Sequence, residues 1–302
     1  MKSVHTADQT TRRTFLQLAA GVAVANSGIL AVAKETVPAT QPADRTVLDR
    51  LWIWGHEAGS YKLTFGLPRT SQMTPMEGAA YLGVPNLFFI RYEGRPPMPF
   101  DQHAIAFRQL RRVVWSLVGA SGASSDDERK HVLELAARFP NIVGFIMDDF
   151  FKENGQGSLS VDELRTLRER LLVAGRRREL IVVWYRHQLA LPVQSHLELC
   201  DKITFWTWRA EELNDLQASF ERLEKLAPAQ GKLLGCYLWD FGTEKPMPLE
   251  LMKKQCELGL QWLRQKRIEG MIFLGSNVCD LELDTVQWTR SWIAEVGQQE
   301  LA

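Results

Sequence analysis

Eight short apolar runs recur between residues 51 and 277, and each has about the length of a β-strand. Within each run the apolar residues are mostly consecutive, which is typical of strands buried on both faces in a parallel sheet. Stretches of helical periodicity lie between the runs. One begins at Ser125 and stops at Pro140, and another follows the capping box Ser160-Val161-Asp162-Glu163. The runs are LWIWGHE, NLFFIRY, RVVWSLVG, IVGFIMDDF, LIVVWYRH, KITFWTWR, KLLGCYLWDFG and GMIFLGSN.

Eight strand-and-helix units between residues 47 and 302 match the count and length of a (β/α)8 TIM barrel, so we predict one barrel domain there. Further helices are predicted over 211–226, 248–266 and 284–297. The first connection, 58–74, is long and rich in turn formers, and a short LPVQSHLELC must supply the fifth helix. A doubly wound open sheet is the alternative, but no GxGxxG follows the first run.

The first 33 residues differ in kind from the rest. TRRTFLQ from Thr11 leads into an uncharged stretch rich in Ala, Val and Leu. This segment resembles a twin-arginine export signal, and Ala31-Val32-Ala33 matches a signal peptidase site. A membrane anchor is the alternative, but the stretch is short and only weakly apolar.

The resemblance implies a bacterial or archaeal protein that the twin-arginine machinery exports to the periplasm or the cell exterior. After cleavage no membrane span is expected. Residues 34–46 carry two prolines and no apolar period, so they are predicted to form a linker to the barrel.

Charge and cysteine content exclude several classes of function. Lysine plus arginine equals aspartate plus glutamate at 36 each, so no basic field exists to attract nucleic acid. The four cysteines have no CxxC spacing and are too few for a disulfide scaffold. We therefore expect neither a nucleic-acid partner nor a zinc site.

In a TIM barrel the catalytic groups lie at the carboxyl ends of the strands. The fourth run, in GFIMDDFF, ends in Asp148 and Asp149. Adjacent residues of a regular strand point to opposite sides, so only one of the two would face the barrel axis. We predict Asp149 and Asp240 as the catalytic pair, with Glu57 and Asp148 as further candidates. The predicted substrate-binding residues, also at strand ends, are His56, Arg91, Tyr185, Arg186, His187, Trp208, Arg209, Trp239 and Asn277.

Tryptophan and arginine suggest what such a site would bind. Flat aromatic faces pack against sugar rings, and Trp208 and Trp239 are the best candidates at the barrel mouth, whereas Trp52, Trp54 and Trp115 are expected to fill the core. The arginines at strand ends offer bidentate partners for a uronate carboxylate. Their alternative role is to neutralise the acids across the barrel mouth.

These features together resemble exported glycoside hydrolase-like (β/α)8 barrels. The large group of barrel glycosidases carries a Glu after an Asn at strand four and a second Glu at strand seven, where this chain has Asp148-Asp149 and Asp240. The chitinase-like DxxDxDxE pattern is interrupted by Phe150 and Phe151. An α-galactosidase-like site would need an acid at strand six, where Arg209 stands. No specific family is identified.

The resemblance implies a carbohydrate-active hydrolase that uses two carboxylates and no cofactor, acting on a small glycoside or an oligosaccharide. A metal-dependent sugar isomerase or hydrolase is the first alternative. Its divalent cation would be bound by His56, Glu57, Asp149, His187 and Asp240, although no HxH motif is present. A sugar-binding barrel without catalysis is the second alternative.

Overall fold

The computed structural model describes residues 44–301, so the predicted signal peptide and linker residues 34–43 lie outside the described residues. Eight parallel strands form a closed barrel in which each strand pairs with its neighbours in the sequence, and the last strand pairs with the first. The predicted TIM barrel is therefore confirmed. The strands are β1 (Leu51–Gly55), β2 (Asn86–Phe89), β3 (Arg112–Val118), β4 (Ile142–Met147), β5 (Glu179–Tyr185), β6 (Lys202–Trp206), β7 (Gly231–Tyr237) and β8 (Gly270–Leu274).

Each barrel strand is followed by a helix. Thr74 and Ser160 form capping boxes at the start of α1 and α4, and Ser125 caps α3, so local polar side chains satisfy the first free N–H groups. The helices are α1 (Pro75–Leu82), α2 (Asp101–Ala106), α3 (Asp126–Arg138), α4 (Val161–Glu169), α5 (Gln194–Leu197), α6 (Leu216–Leu226), α7 (Leu249–Arg264) and α8 (Asp284–Val296). The helix predicted over 211–226 is divided, because a 3-10 helix at Ala210–Asp215 precedes α6.

The barrel strands are buried on both faces, which explains why their apolar residues are consecutive. Every residue of β1, β2 and β8 is buried. Gly235 on β7 leaves space that the Trp206 indole fills. The floor beneath the strand ends is thus tightly packed by large rings.

Residues 44–46, at the end of the predicted linker, contact the barrel domain. Thr46 forms an isolated antiparallel bridge with Glu300, and the Asp44 carboxylate accepts from Arg112 Nη1 at 2.9 Å. No helix among residues 44–301 is long and apolar enough to cross a membrane.

Candidate active site

A cavity of about 500 Å³, counting the space open to solvent, lies at the carboxyl ends of the strands. Aromatic side chains dominate its walls, and two adjacent carboxyl groups lie among them. The lining residues are Trp54, His56, Tyr61, Phe65, Tyr92, Ala120, Asp148, Asp149, Tyr185, Trp206, Trp208, Tyr237, Phe241 and Leu274.

Asp148 and Asp149 both line this cavity, because the chain leaves strand geometry directly after β4. Asp149 has a left-handed backbone with φ of 44°, so the two side chains do not alternate as they would in a regular strand. The expectation that only one of them faces the barrel axis therefore does not apply. The Asp149 N–H donates to Asp148 Oδ1 at 2.9 Å and fixes the pair locally.

Asp148 is the buried member of the pair, with 5% of its surface exposed. Burial, reinforced by the neighbouring charge of Asp149, raises the pKa of the Asp148 carboxyl well above its usual value. The raised pKa favours the protonated form of Asp148. Two carboxyl groups whose environments separate their protonation states are typical of acid–base sites.

Asp149 is held by two hydrogen-bond donors from neighbouring strand ends. The Tyr185 hydroxyl donates to Oδ1 at 2.7 Å, and the Ser121 N–H donates to Oδ2 at 2.8 Å. Ser121 itself has a left-handed backbone with φ of 60°. Non-glycine residues in this conformation are uncommon and concentrate at functional sites, and here two of them are hydrogen-bonded to each other.

His56 lies at the end of β1 and is buried and neutral. Its Nδ1 lies 3.1 Å from the Ile90 carbonyl oxygen, so Nδ1 must carry the proton. Its Nε2 then accepts from the Tyr61 hydroxyl at 2.8 Å and from the Trp54 indole N–H at 3.1 Å. Burial lowers the pKa of His56 to about 4. This histidine therefore orients Tyr61 and carries no charge at neutral pH.

Four of the aromatic lining residues are not among the predicted site residues, although Tyr92 and Phe241 lie next to the predicted Arg91 and Asp240. Tyr61 and Phe65 lie in the long connection after β1, Tyr92 follows β2, and Phe241 follows β7. Phe241 stacks on Trp208 with ring centroids 6.1 Å apart. A signal was present in the sequence, since the longest connection carries two aromatic rings among its turn formers.

The structure does not bring Asp240 or Glu57 into the cavity lining. Strand β7 ends at Tyr237, and Trp239–Asp240 pairs with Lys245–Pro246 in a small hairpin. The Asp240 carboxylate accepts from the Thr243 hydroxyl at 2.6 Å and so stabilises the hairpin turn. The Glu57 carboxylate accepts from Arg95 Nε at 2.7 Å.

The predicted arginines also lie outside the lining. Arg91 pairs with Glu128, Arg186 Nη1 donates to Glu212 at 2.7 Å, and Arg209 is exposed. Neither of the two paired arginines neutralises Asp148 or Asp149, because their acidic partners come from other segments.

The remaining predicted residues are divided between the cavity and its surroundings. Tyr185 and Trp208 line it, whereas the Trp239 indole N–H donates to the Phe65 carbonyl at 2.9 Å and anchors the β1 connection. His187 lies outside the lining and stacks on the Tyr185 ring, with the two ring centroids 5.3 Å apart. Asn277 is buried and interacts with the Tyr61 hydroxyl. Burial raises the pKa of Tyr61, and the interaction with Asn277 lowers it by a smaller amount.

Trp54 is buried in the core as predicted, and it also lines the cavity. Trp52 and Trp115 are buried and remain outside the lining, as predicted.

The five residues considered as metal ligands do not meet in one place. Within residues 44–301, no group of three or more His, Cys, Asp or Glu side chains is arranged to bind a metal ion. His56 has both ring nitrogens engaged in hydrogen bonds, and Asp240 is engaged at its own hairpin turn. The donor set for a divalent cation is therefore not assembled among the described residues.

No protein-family model matches this chain, and no curated protein sequence matches it. Several solved structures have a similar fold. A proposed alpha-L-fucosidase from Bacteroides thetaiotaomicron has a TM-score of 0.52 at 12% identity, covering 86% of this chain and 99% of that one. Active domain 2 of a chitinase from Pyrococcus furiosus has a TM-score of 0.52 at 12% identity, covering 81% and 93%.

A third structure, a beta-D-glucuronidase from Dictyoglomus thermophilum, has a TM-score of 0.52 at 8% identity, covering 83% of this chain and 51% of that one. At these identities the similarity shows the fold alone. The barrel of this chain is thus similar to the barrels of glycoside hydrolases.

Proposed function

We propose that this protein is a glycoside hydrolase in which Asp148 and Asp149 are the two working carboxyl groups. One observation carries the proposal: a buried Asp148, whose pKa burial raises, lies beside an Asp149 that two donors hold in place, within an aromatic cavity at the carboxyl ends of the strands. Catalytic groups of TIM-barrel enzymes lie at this face.

Glycoside cleavage requires a proton for the leaving oxygen and a carboxylate for the anomeric centre. Asp148 is assigned as the general acid, because its raised pKa favours the form that carries a proton. Asp149 is assigned as the carboxylate that acts on the anomeric carbon, directly or through a water molecule. The Tyr185 hydroxyl fixes the orientation of Asp149 through its 2.7 Å hydrogen bond.

The walls of the cavity support a sugar as the substrate. Trp208 and Phe241 are stacked on each other, and Tyr61 and Phe65 stand across from them in edge-to-face contacts with Phe241. Aromatic faces pack against the C–H faces of sugar rings, while hydroxyl and carboxyl groups between them accept and donate hydrogen bonds. Three solved barrels of similar fold bear the names of sugar-cleaving enzymes, which agrees with this substrate class.

This assignment replaces the pair Asp149 and Asp240 expected from the sequence. The Asp240 carboxylate is engaged with Thr243 outside the cavity lining, whereas Asp148 lines it. The metal-dependent alternative receives no support, because its ligands are not clustered among the described residues.

The test is hydrolysis of a panel of aryl glycosides by the wild type, Asp148→Asn and Asp149→Asn. Both substitutions keep the side-chain shape and remove the ionisable group. We expect each to lower kcat by about 10²- to 10⁴-fold on any substrate that the wild type cleaves. Sugar binding with no turnover by the wild type would instead indicate a binding protein.

Export by the twin-arginine route to the periplasm or the cell exterior is also proposed, on the basis of TRRTFLQ and the Ala31-Val32-Ala33 site. Replacing Arg12 and Arg13 together with lysine should leave the precursor in the cytoplasm, because the export machinery reads the arginine pair. Unchanged export of that variant would contradict the assignment.

A further inference from the structure

The cavity lining has an unbalanced charge. It contains the carboxyl groups of Asp148 and Asp149, and no lysine or arginine of residues 44–301 belongs to it. His56 has a pKa lowered by burial to about 4, so it supplies no positive charge at neutral pH. An anionic ligand would therefore meet negative charge without a cationic partner inside the cavity.

Three arginines close in sequence to lining residues are engaged elsewhere, whereas Arg209, which follows Trp208, is exposed and lies outside the lining. Arg91 pairs with Glu128 and also donates to the Pro96 carbonyl at 3.1 Å. Arg95 donates to Glu57 at 2.7 Å, and Arg186 donates to Glu212 at 2.7 Å. Recruiting any of them to a ligand would break an ion pair and leave its glutamate without that partner.

The direction of the hydrogen bonds in the cavity also opposes an anionic ligand. The Tyr61 proton is donated to His56, and the Tyr185 proton is donated to Asp149, so both hydroxyl oxygens offer lone pairs to a ligand. Asp149 is likewise an acceptor. These groups favour a ligand that donates hydrogen bonds, as sugar hydroxyls do, and oppose a carboxylate, which only accepts.

We infer that the site selects uncharged sugars and rejects uronic acids. The inference rests on the proposed function for the assignment of a sugar site and goes beyond it by naming the class of sugar. Coulomb repulsion from Asp149 at the effective dielectric constant of a protein site predicts at least about 10-fold weaker binding for the anionic member of a matched pair.

The experiment is calorimetric binding of matched methyl glycosides that differ only at C6, such as glucoside with glucuronide and galactoside with galacturonide. In each pair with measurable binding, the neutral sugar is expected to bind at least about 10-fold more tightly. In Asp149→Asn the ratio of the uronide Kd to the neutral-sugar Kd should fall several-fold, because the charge that repels the uronide is gone. In the matched control Asp240→Asn the ratio should stay as in the wild type, because that carboxylate lies outside the lining.

Equal or tighter binding of a uronide would overturn the inference, and Arg209→Ala would then test whether the exposed Arg209 provides the cation. Failure of every neutral sugar to bind would overturn it together with the sugar site. Selective binding of neutral sugars without hydrolysis of the corresponding aryl glycosides would refute the proposed function and leave the inference standing.

Discussion

Replacing Asp148 with asparagine tests whether this buried carboxyl is protonated in the folded protein. Burial and the charge of Asp149 raise the pKa of Asp148 well above the usual value of 3.8. The folded state then keeps a proton that the unfolded state has lost. Asp148 therefore contributes stability that is fully present below pH 3.8 and is lost as the pH rises through the raised pKa.

The size of the effect follows from one proton. Between pH 3.8 and the raised pKa, the free energy of unfolding should fall by about 1.4 kcal/mol per pH unit because of Asp148 alone. Asparagine has a similar shape and no charge, and its Oδ1 can still accept from the Asp149 N–H. Relative to the wild type, Asp148→Asn should thus gain about 1.4 kcal/mol of stability for each pH unit across this window.

Urea unfolding of both proteins at several pH values from about pH 4 upward measures this difference. Asp240→Asn is the matched control, because the same substitution there removes a carboxylate that caps a hairpin turn outside the cavity. A stability difference between Asp148→Asn and the wild type that does not change with pH would refute the protonated state of Asp148.

Three further predictions concern the supports of the site. Tyr185→Phe removes the donor to Asp149 Oδ1 and should lower kcat about 10-fold or more, because Asp149 loses the group that orients it. It should also lower the free energy of unfolding by about 1.5–3 kcal/mol, the contribution of a hydrogen bond to a charged group; steady-state kinetics and urea unfolding measure the two effects. His56 should remain the neutral Nδ1–H tautomer at pH 6 by ¹⁵N NMR because its pKa is about 4, and a midpoint near 6.5 would contradict its buried environment. Gly235→Ala should destabilise the fold by about 1–3 kcal/mol in urea unfolding, because a methyl group would overlap the Trp206 indole; an unchanged midpoint would show that the ring moves freely.

The barrel could be predicted because strands buried on both faces have consecutive apolar residues, and this pattern is visible in the sequence. Runs such as NLFFIRY and GMIFLGSN are apolar on consecutive residues, and the corresponding strands Asn86–Phe89 and Gly270–Leu274 are buried throughout. However, the predicted runs extend past the residues at which the barrel strands end. Apolar or aromatic residues also stand just past several strands, such as Ile90 after β2 and Trp208 after β6, because they are buried there or line the cavity.

The same cause explains why Asp240 was assigned to the site. KLLGCYLWDFG reads as one uninterrupted run, but strand β7 ends at Tyr237 and the chain then turns into a hairpin. Tyr237, at the true strand end, lines the cavity. A change of direction within an apolar segment leaves no periodic signal, so the side chain at the strand end could not be identified from the sequence.

Asp148 and Asp149 were predicted because an acid pair directly follows a buried run, and Tyr185 was predicted from its place at a strand end, whereas other contacts of the site were not predictable. Ser121 contacts Asp149 through its backbone N–H, a group that every residue type except proline carries. Tyr61 contacts His56 from a long connection that contains one short 3-10 helix, Thr64–Gly66. Contacts of this kind depend on how separate loops fold over the barrel, which local sequence does not encode.

Whether the Asp148–Asp149 pair carries catalysis can be tested by comparing kcat/KM of Asp149→Asn with that of Asp240→Asn on one aryl glycoside cleaved by the wild type. We expect a loss of about 10²- to 10⁴-fold for Asp149→Asn and a value near that of the wild type for Asp240→Asn. Equal losses in the two variants, or a larger loss in Asp240→Asn, would contradict the assignment of the catalytic carboxylates to the Asp148–Asp149 pair.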